Sequence, residues 1–101
     1  MTEFRILQID KERDTQRLMF TPYDETIAIA GKVEPWIYDL IYSGKSDEVE
    51  NLEDIFTLFN LYRPEGFTGH SLSVSDVIHI INSDVIEQGV YFVDSFGFKK
   101  L

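Results

Sequence analysis

The segment GHSLSVSD, residues 69–76, gathers the residue types of a hydrolytic site. It offers hydroxyls at Ser71, Ser73 and Ser75, an imidazole at His70 and a carboxylate at Asp76. Nucleophilic catalysis would need one hydroxyl within hydrogen-bond reach of the imidazole, and an acid to orient that imidazole. The spacing does not supply this. His70 and Ser71 are neighbours in the chain, and adjacent side chains point apart. No Gly-x-Ser-x-Gly elbow is present. The same residues suit a demanding loop: Ser and Asp bond nearby backbone groups, and Gly66 and Gly69 take up backbone angles denied to other residues. We read Gly69, His70, Ser71, Ser73, Ser75 and Asp76 as a structural loop entering a strand. Catalysis by the 69–76 loop is the weaker alternative, so no catalytic residue is assigned and the protein is expected not to be an enzyme.

Other chemistries find less. His70 and His79 are the only histidines. Strand alternation would turn Asp76 away from Val77 and His79, so no metal ligand set is expected. Neither a Gly-rich phosphate loop nor a dinucleotide fingerprint occurs, and no cofactor is implied. There is no cysteine, which removes disulfides, thiolate metal sites and thiol nucleophiles, and agrees with a reducing cytoplasm.

A second constellation is electrostatic. The chain has 101 residues and a formal charge of −9. Between residues 46 and 98 ten acids face a single base, Arg63. Such a charge opposes direct nucleic-acid binding, which needs Lys and Arg for the phosphates. Asp47, Glu48, Glu50, Glu53 and Asp54 cluster where a helix should begin. Acids there favour the helix dipole, and they also present a negative surface able to enter a basic groove on another protein. We take these five as the partner-binding candidates.

The elements that position these groups follow from periodicity and capping. FRILQID, 4–10, is β-prone; RLMF, 17–20, is an optional short second strand pairing back on it. Thr21 is the expected N-cap of a helix over 22–30, with Pro22 at its first position and Gly31 as its stop. WIYDLIYSG, 36–44, suits a largely buried strand. Leu52, Ile55, Phe56, Phe59 and Tyr62 share one helical face, Asn51 and Asp54 imitate a capping box, and Pro64 ends the helix. VSDVIHII, 74–81, and VYFVDSFGF, 90–98, should form an antiparallel hairpin. The order β(β)αβαββ implies an α+β fold: a small, mostly antiparallel sheet with two helices on one face, forming one domain over 1–101. Phe56, Phe59, Ile78, Phe92 and Phe96 should be buried where the second helix crosses the sheet. No apolar run approaches the ~20 residues of a membrane span, and no membrane partner is expected.

Several segments together resemble a known family. LEDIFTLFN (52–60), RPEGFTGHSLSVSDVI (63–78) and YFVDSFGF (91–98) are similar to the YodL-like domain, whose pattern runs through a Leu-Glu-Asp-Ile helix, Phe-x-Gly-x-Ser-Leu-Ser-x-Ser-Asp-Val and Asp-Ser-Phe-Gly-Phe. TPYDE and IYSG resemble it too. The resemblance implies a setting on mobile elements and phages of Gram-positive bacteria, in the cytoplasm, and it brings no catalytic residues. Joined to the acidic surface, it leads us to expect a counter-defence inhibitor of anti-CRISPR or anti-restriction type, acting by protein–protein binding to a basic groove on a host nuclease. The alternative is a module binding another host protein, such as the actin-like MreB cytoskeleton.

Overall fold

β1, Thr2–Ile9, is the strand around which the rest is built. Its side chains alternate: Phe4 and Ile6 point to one face of the sheet, Leu7 and Ile9 to the other. The structure, a computed structural model, describes residues 1–101. α1 spans Tyr23–Ala30, β2 Tyr38–Ser46, α2 Leu52–Thr57, β3 Val77–Ser83, β4 Gly89–Val93 and β5 Phe98–Lys100. The sheet order is β2-β1-β3-β4-β5, and every neighbouring pair is antiparallel. The fold is α+β, as expected.

The main core lies on one face. Phe4, Ile6, Ile78, Ile80, Tyr91 and Val93 of the sheet meet Ile55 and Phe59 of the second helical segment. Phe59 is fully buried and stands edge-on to Phe4, Tyr42 and Phe67, with ring centroids 5.9, 4.9 and 4.8 Å away. Edge-to-face geometry at these separations adds to the burial of each ring. The other face carries a smaller cluster of Ile9, Leu18 and Ile37, against which Ala30 of α1 packs. On that face Tyr23 of α1 meets Phe92, 5.6 Å between centroids. The two helices therefore cover opposite faces, not one. The reason is register: Phe92 alternates with Tyr91 and Val93, so its ring must emerge on the far side.

Several local expectations are corrected. Residues 17–20 form no strand. Arg17 and Phe20 hold positive φ (57° and 67°), and the Asp14 carboxylate takes the N–H groups of Leu18 and Met19 that a ladder would have used. Pro22, not Thr21, is the N-cap residue of α1, without a side-chain cap. Gly31 closes the helix at φ 81°. Pro35–Ile37 is a 3₁₀ turn, so β2 begins at Tyr38 and runs on to Ser46. The helix expected over 51–62 is α-helical only to Thr57 and continues as a π turn, Leu58–Tyr62. The wider turn rotates Tyr62 off the buried stripe, leaving it 73 % exposed. β3 begins at Val77 because Ser75 sits at φ 82°. The last expected strand breaks into β4 and β5 around Gly97 (φ 76°), which throws Phe96 outward to 96 % exposure. Of the five residues expected under the second helix, Phe59 and Ile78 are fully buried there and Phe56 is half-buried, whereas Phe92 is fully buried on the opposite face against α1 and Phe96 is not in the core. No helix is long and apolar enough to cross a membrane.

Candidate functional site

The loop leading to β3 is built on one buried carboxylate. Asp76 has no exposed surface. Its Oδ2 accepts the Ser73 N–H at 2.8 Å and the Gln8 side-chain amide at 3.1 Å. Its backbone is bonded to the Ser73 carbonyl and the Val93 N–H. Gln8 is the fixed point: its amide also donates to the His70 carbonyl at 2.8 Å. Gln8 follows Ile6 by two residues, so the sheet aims it at the loop. Burial pushes the Asp76 carboxyl up to about 7, against the opposing pull of the Ser73 N–H, His70 and Gln8. Burial likewise raises the Tyr38 phenol, with the Asp76 and Asp14 carboxylates adding to it.

Each serine of the segment has a defined role in the geometry. Ser73 Oγ donates to the Ser71 carbonyl, and Ser75 Oγ accepts the Phe20 N–H at 2.8 Å. Ser71 Oγ is exposed and receives only a long contact, 3.4 Å, from the Arg63 guanidinium, whose other arm holds the Gly69 carbonyl at 2.8 Å. None of the three hydroxyls is bonded to the His70 ring. The imidazole Nδ1 lies 2.7 Å from the Ser71 carbonyl, and Nε2 faces Asp76 Oδ1 at 3.9 Å. Gly66 holds φ 87°, but Gly69 is required for a different reason. A Cβ there would collide with Gln8 Oε1 and Ile41. His79 lies on the opposite face from Asp76, where the strand pairs it with Arg5 and Val90. No three His, Asp or Glu side chains are grouped so as to hold a metal ion.

The acidic run occupies a different edge. Asp47, Glu48, Glu50 and Glu53 are exposed, whereas Asp54 is half-buried. Asp54 Oδ2 accepts the Glu50 N–H while Asn51 Oδ1 accepts the Asp54 N–H, each at 2.9 Å. Asp54 is thus committed to capping α2. The fold adds acids that sequence distance concealed. Asp84 shares the Met1 amino group with Asp47, at 3.2 and 3.6 Å. Glu87 joins Glu50 and Glu53 along a groove of about 420 Å³ between the start of α2 and the β4–β5 hairpin. One cation lies within it, Lys100, 2.7 Å from Glu87.

Gln8, Phe20 and Tyr38 at the loop, and Asp84 and Glu87 at the acidic edge, were not anticipated. Strand order brings Gln8, Tyr38 and Asp84 into place, since β1 lies between β2 and β3.

No curated protein and no solved structure matches the chain. A model of the YodL-like domain matches residues 3–101, which include the Asp76 loop, the capped α2 and the β4–β5 turn described above. On that match, which spans essentially the whole molecule, the chain belongs to the YodL-like domain family.

Proposed function

We propose that this domain is a non-enzymatic protein-binding inhibitor whose acidic edge occupies a basic, nucleic-acid-binding groove on a host nuclease of CRISPR or restriction type. The observation that carries the reading is the convergence of Asp47, Glu50 and Glu53 with Asp84 and Glu87 around the start of α2 and the β3–β4 connection, with Glu48 beside them in the adjoining hollow it lines with Asp54. The Met1 amino group and Lys100 are the cations bonded to this edge. Grooves that hold nucleic acid are lined with Lys and Arg and are complementary to such an edge. Electrostatic complementarity of this kind speeds encounter and weakens with salt. The hydroxyls of the 69–76 loop, bonded mainly to backbone groups, favour binding over catalysis as the domain's work. A bacterial cytoplasm and a mobile-element setting fit the same reading.

The test is an inhibition assay on purified CRISPR and restriction nucleases of Gram-positive hosts, following both nucleic-acid loading and cleavage. The expected result is slower or weaker loading, with relief as salt is raised. If loading and cleavage are untouched across the nucleases, the proposal fails.

A further inference from the structure

His70 Nδ1 lies 2.7 Å from the Ser71 carbonyl, which only accepts, and 3.3 Å from the Gln8 amide nitrogen, whose two hydrogens go to the His70 carbonyl and Asp76 Oδ2; Nδ1 therefore carries a hydrogen and donates it to Ser71. A neutral imidazole in that tautomer presents a lone pair at Nε2. That atom is buried, faces Asp76 Oδ1 at 3.9 Å, and has no other partner; Oδ1 has none either. Two lone pairs facing each other out of water repel unless a proton lies between them. The other ionisable groups around Asp76 do not supply one. Tyr38 of β2 gives its hydroxyl hydrogen to the Ser75 carbonyl at 2.6 Å. Asp14, in the β1–α1 connection, is an acceptor already bonded to Leu18 and Met19. Arg63 binds the loop's outer side at Gly69 and Ser71.

Two residues at positive φ adjoin this pair, Ser75 next to Asp76 in the chain and Phe20 against the His70 ring. Ser75 is fully buried at φ 82°, and Phe20 holds φ 67° while remaining 55 % exposed. Non-glycine residues in this region carry a conformational cost that surrounding contacts must offset. Ser75 is held by its own N–H to the Val93 carbonyl and by the Tyr38 hydroxyl on its carbonyl; Phe20 is held by its N–H to Ser75 Oγ and by its ring set edge-on to His70, 5.3 Å between centroids. We propose that a single proton held between His70 and Asp76 is a latch that keeps the Gly69–Asp76 loop closed and the Phe20 segment docked on it, and that loss of this proton loosens both.

The sign follows from linkage. In the closed loop the Asp76 carboxyl sits at about 7, raised by burial from an ordinary value of 3.8. An opened loop returns it to water, where it releases its proton near the ordinary value. Opening therefore becomes easier as pH rises from about 4 to about 7, by roughly tenfold per pH unit where the difference is fully expressed, and levels off above. The Phe20 surface is fixed in acid and mobile above neutrality.

Amide hydrogen exchange on the full chain at pH 5.5 and 7.5, corrected for intrinsic exchange, tests this on wild type and Asp76→Asn. The Asn amide can donate permanently to His70 Nε2 while its oxygen accepts from Gln8 and Ser73. The substitution removes only the Asp76 carboxyl, so the difference between the two proteins belongs to Asp76. The Phe20 and Ser73 amides should lose roughly tenfold or more of their protection in wild type, and none in the variant. Equal pH dependence in the two proteins, or none in wild type, overturns the latch. Should Asp76→Asn fail to fold, carbon-13 titration of the Asp76 carboxyl in wild type decides alone. A midpoint near 7 that moves together with the Phe20 amide signal supports the latch, and a midpoint in the ordinary carboxylate range, or one without that movement, overturns it.

Discussion

The Gln8 amide reaches from β1 to the Asp76 carboxylate, 3.1 Å away, and so ties the loop before β3 to the strand that pairs with β3. One polar side chain thereby fixes the entry to the central hairpin. Gln8→Ala should lower stability by about 1–3 kcal/mol, because Asp76 Oδ2 and the His70 carbonyl each lose a buried donor. Gly69→Ala should be comparably harmful, since its methyl group would overlap Gln8 Oε1 and Ile41. Urea unfolding at fixed pH measures both. A wild-type midpoint for Gln8→Ala would show that the amide does not hold the loop.

Asp76→Asn should change the pH dependence of global stability. A carboxyl raised to about 7 in the fold contributes stability that is fully present below its ordinary value of 3.8 and is lost as pH rises through about 7. Wild type should therefore lose stability relative to the variant between pH 4 and 7, on the order of 1–3 kcal/mol. Parallel stability curves for the two proteins would contradict the assignment.

Phe59→Ala should cost about 3–5 kcal/mol, close to the whole stability of a small domain, because Phe59 is wholly buried among three aromatic rings. Phe96→Ala should stay within about 0.5 kcal/mol, since that ring is almost entirely in solvent. Thermal or urea unfolding separates the two cases at once.

These contrasts show what was legible in the sequence. The 3.6-residue stripe through Ile55 and Phe59 and the apolar runs of β1 and β3 announce themselves, because burial and helical or strand period are local properties. The cap at Asn51 was equally plain. The π turn at Leu58–Tyr62 was not: it inserts no marker residue and only shifts phase, so an unbroken 3.6-residue stripe puts Tyr62 on the buried side, where it does not lie. RLMF has strand-like composition, yet the N–H groups of Leu18 and Met19 are claimed by the Asp14 carboxylate and that of Phe20 by Ser75, interactions no propensity records. SFGF looked continuous with β4 because Gly97 is permissive in a strand as well as in a turn. At the loop, the serines and Asp76 were visible, but Gln8 lies 68 residues away from Asp76 and meets it only through strand order.

Asp54→Ala should destabilise α2 by about 1 kcal/mol by freeing the Glu50 N–H, whereas Glu53→Ala should be nearly neutral. This difference governs how the acidic edge can be probed: Glu48, Glu50 and Glu53 are free to be reversed, and Asp54 is not. Circular dichroism and urea unfolding of the single variants check it, and equal losses for Asp54→Ala and Glu53→Ala would remove the distinction.

The most direct measurement on the proposed binding mode compares wild type with the Glu48→Lys, Glu50→Lys, Glu53→Lys triple variant. Fluorescence anisotropy would follow nucleic-acid loading onto a nuclease that wild type inhibits, at low and at physiological salt. Wild type should block loading, and do so less well at the higher salt; the folded triple variant should lose most of the block and most of its salt dependence. A triple variant that folds and blocks loading as well as wild type at both salts would contradict the claim that this edge occupies the basic groove.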